Sequence, residues 1–181
     1  MKKLLLVVVT AFHVFAAGAQ FSKAELQATG LTCAMCSNAI NKALQKIPFV
    51  ESVSSNIKNS SFAIVFKQNA DVDIDALKDA VEDAGFSVGS LKITGIFSDL
   101  KIEKDKHARI GKENFHFVNA GDKVLSGEQT ITVVDKAFVT EKQFKKLSSS
   151  TKMECMKTGK AGSCCEKEGI TPGERIYHVT I

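Results

Sequence analysis

The sequence predicts an α+β chain in two parts: a βαββαβ unit over residues 20–91, then a small β-rich domain, barrel-like in outline, over residues 92–181. Three observations predict it. Apolar residues recur at helical spacing in two stretches, each flanked by runs that read as strands. Pro48 and Gly85 stand where those helical stretches should stop. Beyond Leu91 the pattern changes to short β-branched and aromatic runs separated by glycines.

Residues 1–19 must be set apart before the rest is read. Lys2 and Lys3, an apolar run from Leu4 through Ala17, and the small residues Ala17-Gly18-Ala19 have the three regions of a secretory signal peptide, with cleavage expected before Gln20. The run is shorter than the roughly 20 residues that span a bilayer, and no cysteine stands at the cleavage point to carry a lipid. The expected location is secreted or periplasmic. His13 leaves with this segment and is not counted as a ligand. Two of the 24 basic residues leave as well, against 20 acidic ones, so the mature chain is close to neutral. Its lysines are dispersed among acids rather than gathered in a stripe, which argues against a nucleic-acid partner and leaves membrane contact to be made through a partner protein.

In the first part, Ala24 to Thr29 reads as a strand leading into Gly30-Leu31-Thr32-Cys33-Ala34-Met35-Cys36. From Ser37 a helix is expected, with Ile40, Ala43, Leu44 and Ile47 on one face and Pro48 ending it. Val50 to Ile57 and Ser61 to Lys67 form a hairpin about the polar turn Lys58-Asn59-Ser60, with Phe62, Ile64 and Phe66 on one face. Asp71 to Asp73 lead into a second helix with Ile74, Leu77, Val81 and Ala84 as its buried stripe, Gly85 as its C′ residue, and Phe86 to Leu91 as the closing strand. That order is the split βαβ, ferredoxin-like arrangement.

The chemistry sits in Cys33 and Cys36. A thiol pair at the start of a helix faces unpaired backbone N–H groups and the positive end of the macrodipole, which favour the thiolate, and the turn brings both sulfurs to one point. Such a site suits a soft cation. Two thiolates satisfy Cu(I) in near-linear geometry, whereas Zn(II) wants four ligands in a tetrahedron, so Cu(I) is the first choice and Hg(II) or another soft metal the alternative.

Residues from about Lys23 to Leu91 resemble a heavy-metal-associated domain, the module of copper chaperones, of the amino-terminal repeats of metal-pumping P-type ATPases, and of periplasmic mercury-binding proteins. The family pattern Gly-Met-Thr-Cys-x-x-Cys is met by Gly30-Leu31-Thr32-Cys33-Ala34-Met35-Cys36, and its far end by Glu82-Asp83-Ala84-Gly85-Phe86. The resemblance implies metal binding without catalysis, Cys33 and Cys36 as ligands, and a membrane metal transporter or another metal-binding protein as partner. Leu31 replaces the family's usual Met, which resembles a core plug beneath the loop, and this near-isosteric exchange should leave the loop intact. Phe86, expected close to the site, supplies no cation where single-domain eukaryotic copper chaperones commonly have a lysine. Thr32 supplies no charge where zinc and cadmium members often carry an acidic residue. Met35 is expected in solvent or on the helix rather than as a thioether ligand.

In the second part, strands are expected at Ile93–Phe97, Asn114–Val118, Gln129–Val134, Ala137–Val139 and Arg175–Ile181, closing into an OB-like barrel of about five strands. Thr140-Glu141-Lys142-Gln143 reads as a capping box opening one short helix. Met153, Cys155, Met156, Cys164 and Cys165, with His178 near the end, form a second soft-ligand cluster. It is a candidate second Cu(I) site, or else a structural disulfide from Cys155 to Cys164 or Cys165. His107 and His116 are read as surface or strand residues.

The functional expectation is an extracytoplasmic Cu(I) carrier working by thiolate ligand exchange. Three alternatives stand beside it: a thiol–disulfide redox protein with Cys33 as nucleophile, a mercury-binding carrier, and a non-catalytic adaptor for a membrane metal transporter. No phosphate-cradling glycine loop, nucleophile elbow or zinc-protease helix is present in the sequence.

Overall fold

The computed structural model describes residues 20–31 and 33–181. The signal-peptide reading of residues 1–19 and the position of Thr32 lie outside the described residues. No helix among the described residues is long and apolar enough to cross a membrane.

The first part follows its sequence pattern closely. Strand β1 (Gln20–Thr29), helix α1 (Ala34–Gln45), β2 (Val50–Asn56), β3 (Ser61–Phe66) and helix α2 (Ile74–Asp83) lead into β4 (Ser87–Ile102). The strands lie in the order β2-β3-β1-β4, all antiparallel, which is the ferredoxin-like arrangement. Helix α1 buries Ser37, Ile40 and Leu44. Helix α2 buries Ile74, Leu77 and Val81, and Asp73 caps it by accepting from the Ala76 N–H at 3.1 Å. Its other end is a Schellman turn: Gly85 N–H donates to the Glu82 carbonyl at 2.8 Å and Phe86 N–H to the Val81 carbonyl at 3.1 Å, with Gly85 at φ +86°.

The second part does not form the expected barrel. The junction expected at Leu91–Lys92 falls inside β4, which runs on for 16 residues and pairs along its second edge with β7 (Lys123–Val133) from Leu91 to Ile102. Strands β5 (His107–Ile110), β6 (Glu113–Phe117) and β8 (Ile176–Thr180) continue the same layer, giving an eight-stranded open sheet in the order β2-β3-β1-β4-β7-β8-β6-β5. The physical reason is that a strand with an unsatisfied edge accepts a neighbour wherever one is supplied, and β7 supplies it from Leu91 to Ile102. Ala137–Val139, expected as a strand, is a turn anchored by buried Phe138, whose N–H donates to the Asp135 carbonyl at 2.8 Å. Helix α3 (Glu141–Ser148) opens with the expected box: Thr140 Oγ1 accepts from the Gln143 N–H while Gln143 Oε1 accepts from the Thr140 N–H. Two one-turn helices, α4 (Cys155–Thr158) and α5 (Ser163–Glu166), went unread in the sequence.

A single apolar core runs through both parts, from Leu26, Ile40 and Phe62 to Phe97, Phe115, Phe138 and Tyr177. Phe21 joins them: it packs edge-on against Phe97 and Phe115, with ring centroids 6.5 and 5.9 Å apart. A register shift between Phe21 and Lys23 lets both Phe21 and Ala24 face inward despite their odd spacing. Gly95 is required opposite this bulge, because a Cβ there would stand 2.7 Å from the Gln20 carbonyl oxygen.

Arg175 locks α2 to the second part. Its guanidinium donates to both Asp75 carboxylate oxygens at 2.9 and 3.3 Å, to Asp135 at 3.3 Å and to the Gly159 and Ile176 carbonyls, and it stacks 4.1 Å from the Tyr177 ring centroid. Burial works to raise the Asp75 pKa, but the Arg175 bonds and charge outweigh it and hold the carboxyl below its ordinary value. The Arg175→Ala variant is therefore expected to lose about 1–3 kcal/mol in urea unfolding at pH 7. Because the Asp75 pKa is depressed on folding, its contribution is present above the ordinary carboxylate range and fades as pH falls through the folded value. Below pH 4 the gap between wild type and variant should narrow.

Candidate metal centre

The loop between β1 and α1 is shaped by its neighbours. Gly30 adopts φ +81°, which turns the chain out of β1, and the position a Cβ would take there lies 3.9 Å from Phe86 Cδ1. Phe86 therefore sits against the loop, carried there by the Schellman turn that ends α2. Leu31 packs against the main core beneath it, as expected of a plug.

Cys33 is the N-cap of α1, and its Sγ accepts from the Cys36 backbone N–H at 3.4 Å. The two Sγ atoms are 2.7 Å apart. All five cysteines of the chain are thiols rather than disulfides. Cys33 is exposed and Cys36 half-buried, so the pair opens to solvent. Hydrogen bonds from the Cys36 thiol and the Cys36 N–H, with a smaller one from the Met35 N–H, hold the Cys33 thiol below its ordinary value of 9.0. Met35 is 83% exposed.

The second cluster is divided by the fold. Cys155 and Cys165 are fully buried and pack together with Ala161, Ile170 and Ile176, while Met153 and Cys164 lie partly buried against them. Met156, proposed from spacing as a soft ligand, packs instead with Val118 and Val134: it follows Cys155 on a one-turn helix, so its side chain leaves on a different face. The disulfide alternative does not appear, since Cys164 and Cys165 have Sγ atoms 3.3 Å apart and Cys155 is a thiol. His178 lies beside the thiols, and so do His107 and His116, which sequence reasoning passed over. A signal was there for His116, flanked by Phe115 and Phe117 in a strand buried on both faces. None marked His107, whose four-residue strand is too short and polar to read.

A family model described as the heavy-metal-associated domain matches residues 25–87. The copper chaperone CopZ of Staphylococcus aureus (strain JH9) is 32% identical over 63 residues, which are 35% of this chain and 91% of that protein. Copper-transporting ATPase 1 of Rhizobium meliloti (strain 1021) is 31% identical over 80 residues, 44% of this chain and 9% of the ATPase. Among solved structures, a CopZ metallochaperone is 31% identical, with 37% of this chain and 98% of that one covered and a TM-score of 0.34. The chain belongs, through residues 25–87, to the heavy-metal-associated domain family. It spans only 7–11% of the length of three copper ATPases that it matches.

The geometry separates the thiols by reactivity. Brief alkylation at pH 7 followed by peptide mass spectrometry should modify Cys33 first, because it is exposed and its pKa is lowered. Cys155 should stay unmodified in the folded chain, because burial pushes its thiol well up.

Proposed function

We propose that the chain is an extracytoplasmic Cu(I) carrier, secreted or periplasmic once residues 1–19 are removed, that passes its ion to a membrane metal transporter or another metal-binding protein. The observation that carries this reading is the exposed Cys33–Cys36 pair at the mouth of α1, in a domain whose family relatives are named as copper chaperones and copper ATPases. Two thiolates hold Cu(I) and leave room for a third soft ligand. An incoming thiolate from the acceptor binds first, giving a three-coordinate ion. One of Cys33 and Cys36 then departs, a second soft donor of the acceptor takes its place in the coordination shell, and the other cysteine leaves last. Over each complete exchange one bond to the ion forms and one Cu–S bond to this chain breaks, with no change in oxidation state and no release of the ion to water.

The surroundings suit that exchange. Cys33 is reachable from solvent and favours the thiolate, so it serves as the leading ligand. Phe86 and Leu31 give the loop an apolar floor that offers no competing donor. Mercury would be held by the same two sulfurs. A specific observation also favours a thiol–disulfide reading: sulfurs 2.7 Å apart with one thiol of lowered pKa form a couple that oxidants can close. An adaptor role would leave the pair without metal.

Anaerobic titration with Cu(I) against a competing chelator should show a tight equivalent that disappears when Cys33→Ser and Cys36→Ser are combined, with the circular dichroism spectrum unchanged. Unaltered affinity and stoichiometry in the double variant would rule the carrier reading out. Turnover in an insulin-reduction assay, lost in the same variant, would favour the redox reading instead.

A further inference from the structure

Three histidines stand in a row across β5, β6 and β8. His107 is the register partner of His116, and His116 of His178, with ring centroids 5.5 and 5.3 Å apart. Helices α4 and α5 bring Cys155 and Cys165 to this row, and each Sγ lies 3.6 Å from His107 Nε2. The ligand atoms of His107, Cys155 and Cys165 all lie within 4.8 Å of one another, as do those of His116, Cys155 and His178. Cys155 belongs to both sets. Five nitrogen and sulfur donors therefore converge on one region.

Burial makes this arrangement costly unless something binds there. Cys155, Cys165 and His178 are 0% exposed and His116 is 1% exposed. His116 Nδ1 and His178 Nε2 are buried with no hydrogen-bond partner, a condition that native cores avoid. The outward ring atoms, by contrast, are held. Glu168 Oε2 lies 3.0 Å from His107 Nδ1 and accepts from the His107 backbone N–H at 2.7 Å. Asp135 Oδ1 lies 2.7 Å from His178 Nδ1, and its Oδ2 accepts from the His178 N–H at 3.2 Å and from Arg175. A carboxylate on the far nitrogen places the proton there and leaves the Nε2 lone pair facing the thiols, as in histidines that ligate metals. Burial pushes His116 down to about 4, so its ring is neutral and has a lone pair to offer.

The spacing also fits a bent S–metal–N angle rather than a linear one. Metal–sulfur bonds of about 2.3 Å and metal–nitrogen bonds of about 2.0–2.1 Å at a tetrahedral angle put sulfur and nitrogen about 3.6 Å apart. Both Sγ–Nε2 distances have that value, whereas a linear pair would be wider. We propose that His107, Cys155 and Cys165 hold one closed-shell thiophilic cation, Cu(I) or Zn(II), in a buried site of three protein ligands, with the His116–His178 pair meeting that set at Cys155. The site shares no residue with the Cys33–Cys36 loop and does not depend on the carrier reading. Solvent exclusion suits it to retaining an ion rather than passing it on.

The test uses the full chain carrying Cys33→Ser and Cys36→Ser, loaded anaerobically with Zn(II) in one arm and Cu(I) in the other and then gel-filtered. One retained equivalent is expected in at least one arm, with a higher Tm and an X-ray absorption spectrum showing mixed sulfur and imidazole scattering. The arm that retains the ion identifies it. Adding Cys155→Ser should abolish retention. Since that change sits in a packed region, Glu168→Gln provides a milder variant: it leaves the ligands in place and should weaken binding about 10–100-fold with the circular dichroism spectrum intact. A folded protein that retains neither ion, a bound ion without imidazole scattering, or unchanged affinity in Glu168→Gln would each overturn the proposal. Because the loop thiols are absent from this background, failure here leaves the carrier reading standing, and failure of the loop titration leaves this one standing.

Discussion

Strand β4 is held on both edges, by β1 along one and β7 along the other, and this double pairing decides the architecture. Each edge left bare would present a row of unpaired peptide groups. A four-stranded ferredoxin-like unit ordinarily ends at its last strand. Here that strand continues, and the hydrogen bonds it offers beyond Leu91 build the rest of the sheet. The same core then fills from both sides, which is why Phe21 of the first strand packs on Phe115 of the sixth. The close crossing at Gly95 keeps β1 near enough for that contact.

A second dependence links the buried cluster to the frame through charge. Asp135 accepts from Arg175 and from both the ring and the backbone of His178, while Arg175 also holds Asp75 on α2. The carboxylate that orients a histidine of the buried cluster is thus fixed by the cation that ties the first part to the second. Such partly buried charged networks are satisfied as units. The exposed loop relies on different means: a glycine with positive φ, an apolar plug and a capped helix.

Legibility in the sequence divided at β4 for a physical reason. The first part is built from local signals. Asp73 caps a helix from one residue outside it, Gly85 ends it through its own backbone, Pro48 stops another, and Cys33 and Cys36 meet because they stand three positions apart. Each effect is complete within a few positions, so the pattern could be read directly. The capping box of Thr140 and Gln143 is legible for the same reason. Beyond Leu91 the deciding interactions are long-range. Ile93–Phe97 looks like a strand of a new domain, and only its pairing with β7 shows that it continues the old one. Ala137–Val139 carries β-branched and apolar residues, yet Phe138 is used as a turn anchor. The cluster of thiols and imidazoles needs the register of three strands and the docking of two one-turn helices, neither of which has a local signature. Spacing brought Met156 into that cluster, and packing took it out.

The order of strands in the sheet differs sharply from their order in the chain. β8, the eighth to be made, lies between β7 and β6 and pairs with β6 in parallel. The β5–β6 hairpin therefore has no place to dock until the last strand has been inserted. In chain order, β6 gains its parallel neighbour only after some sixty further residues have been made, and His116 is as far from His178. Parallel pairing over so long a separation is slow to form, and the interval is one in which the unfinished half offers bare apolar edge to other chains. Completion of the sheet and assembly of the imidazole row are thus a single late event in maturation.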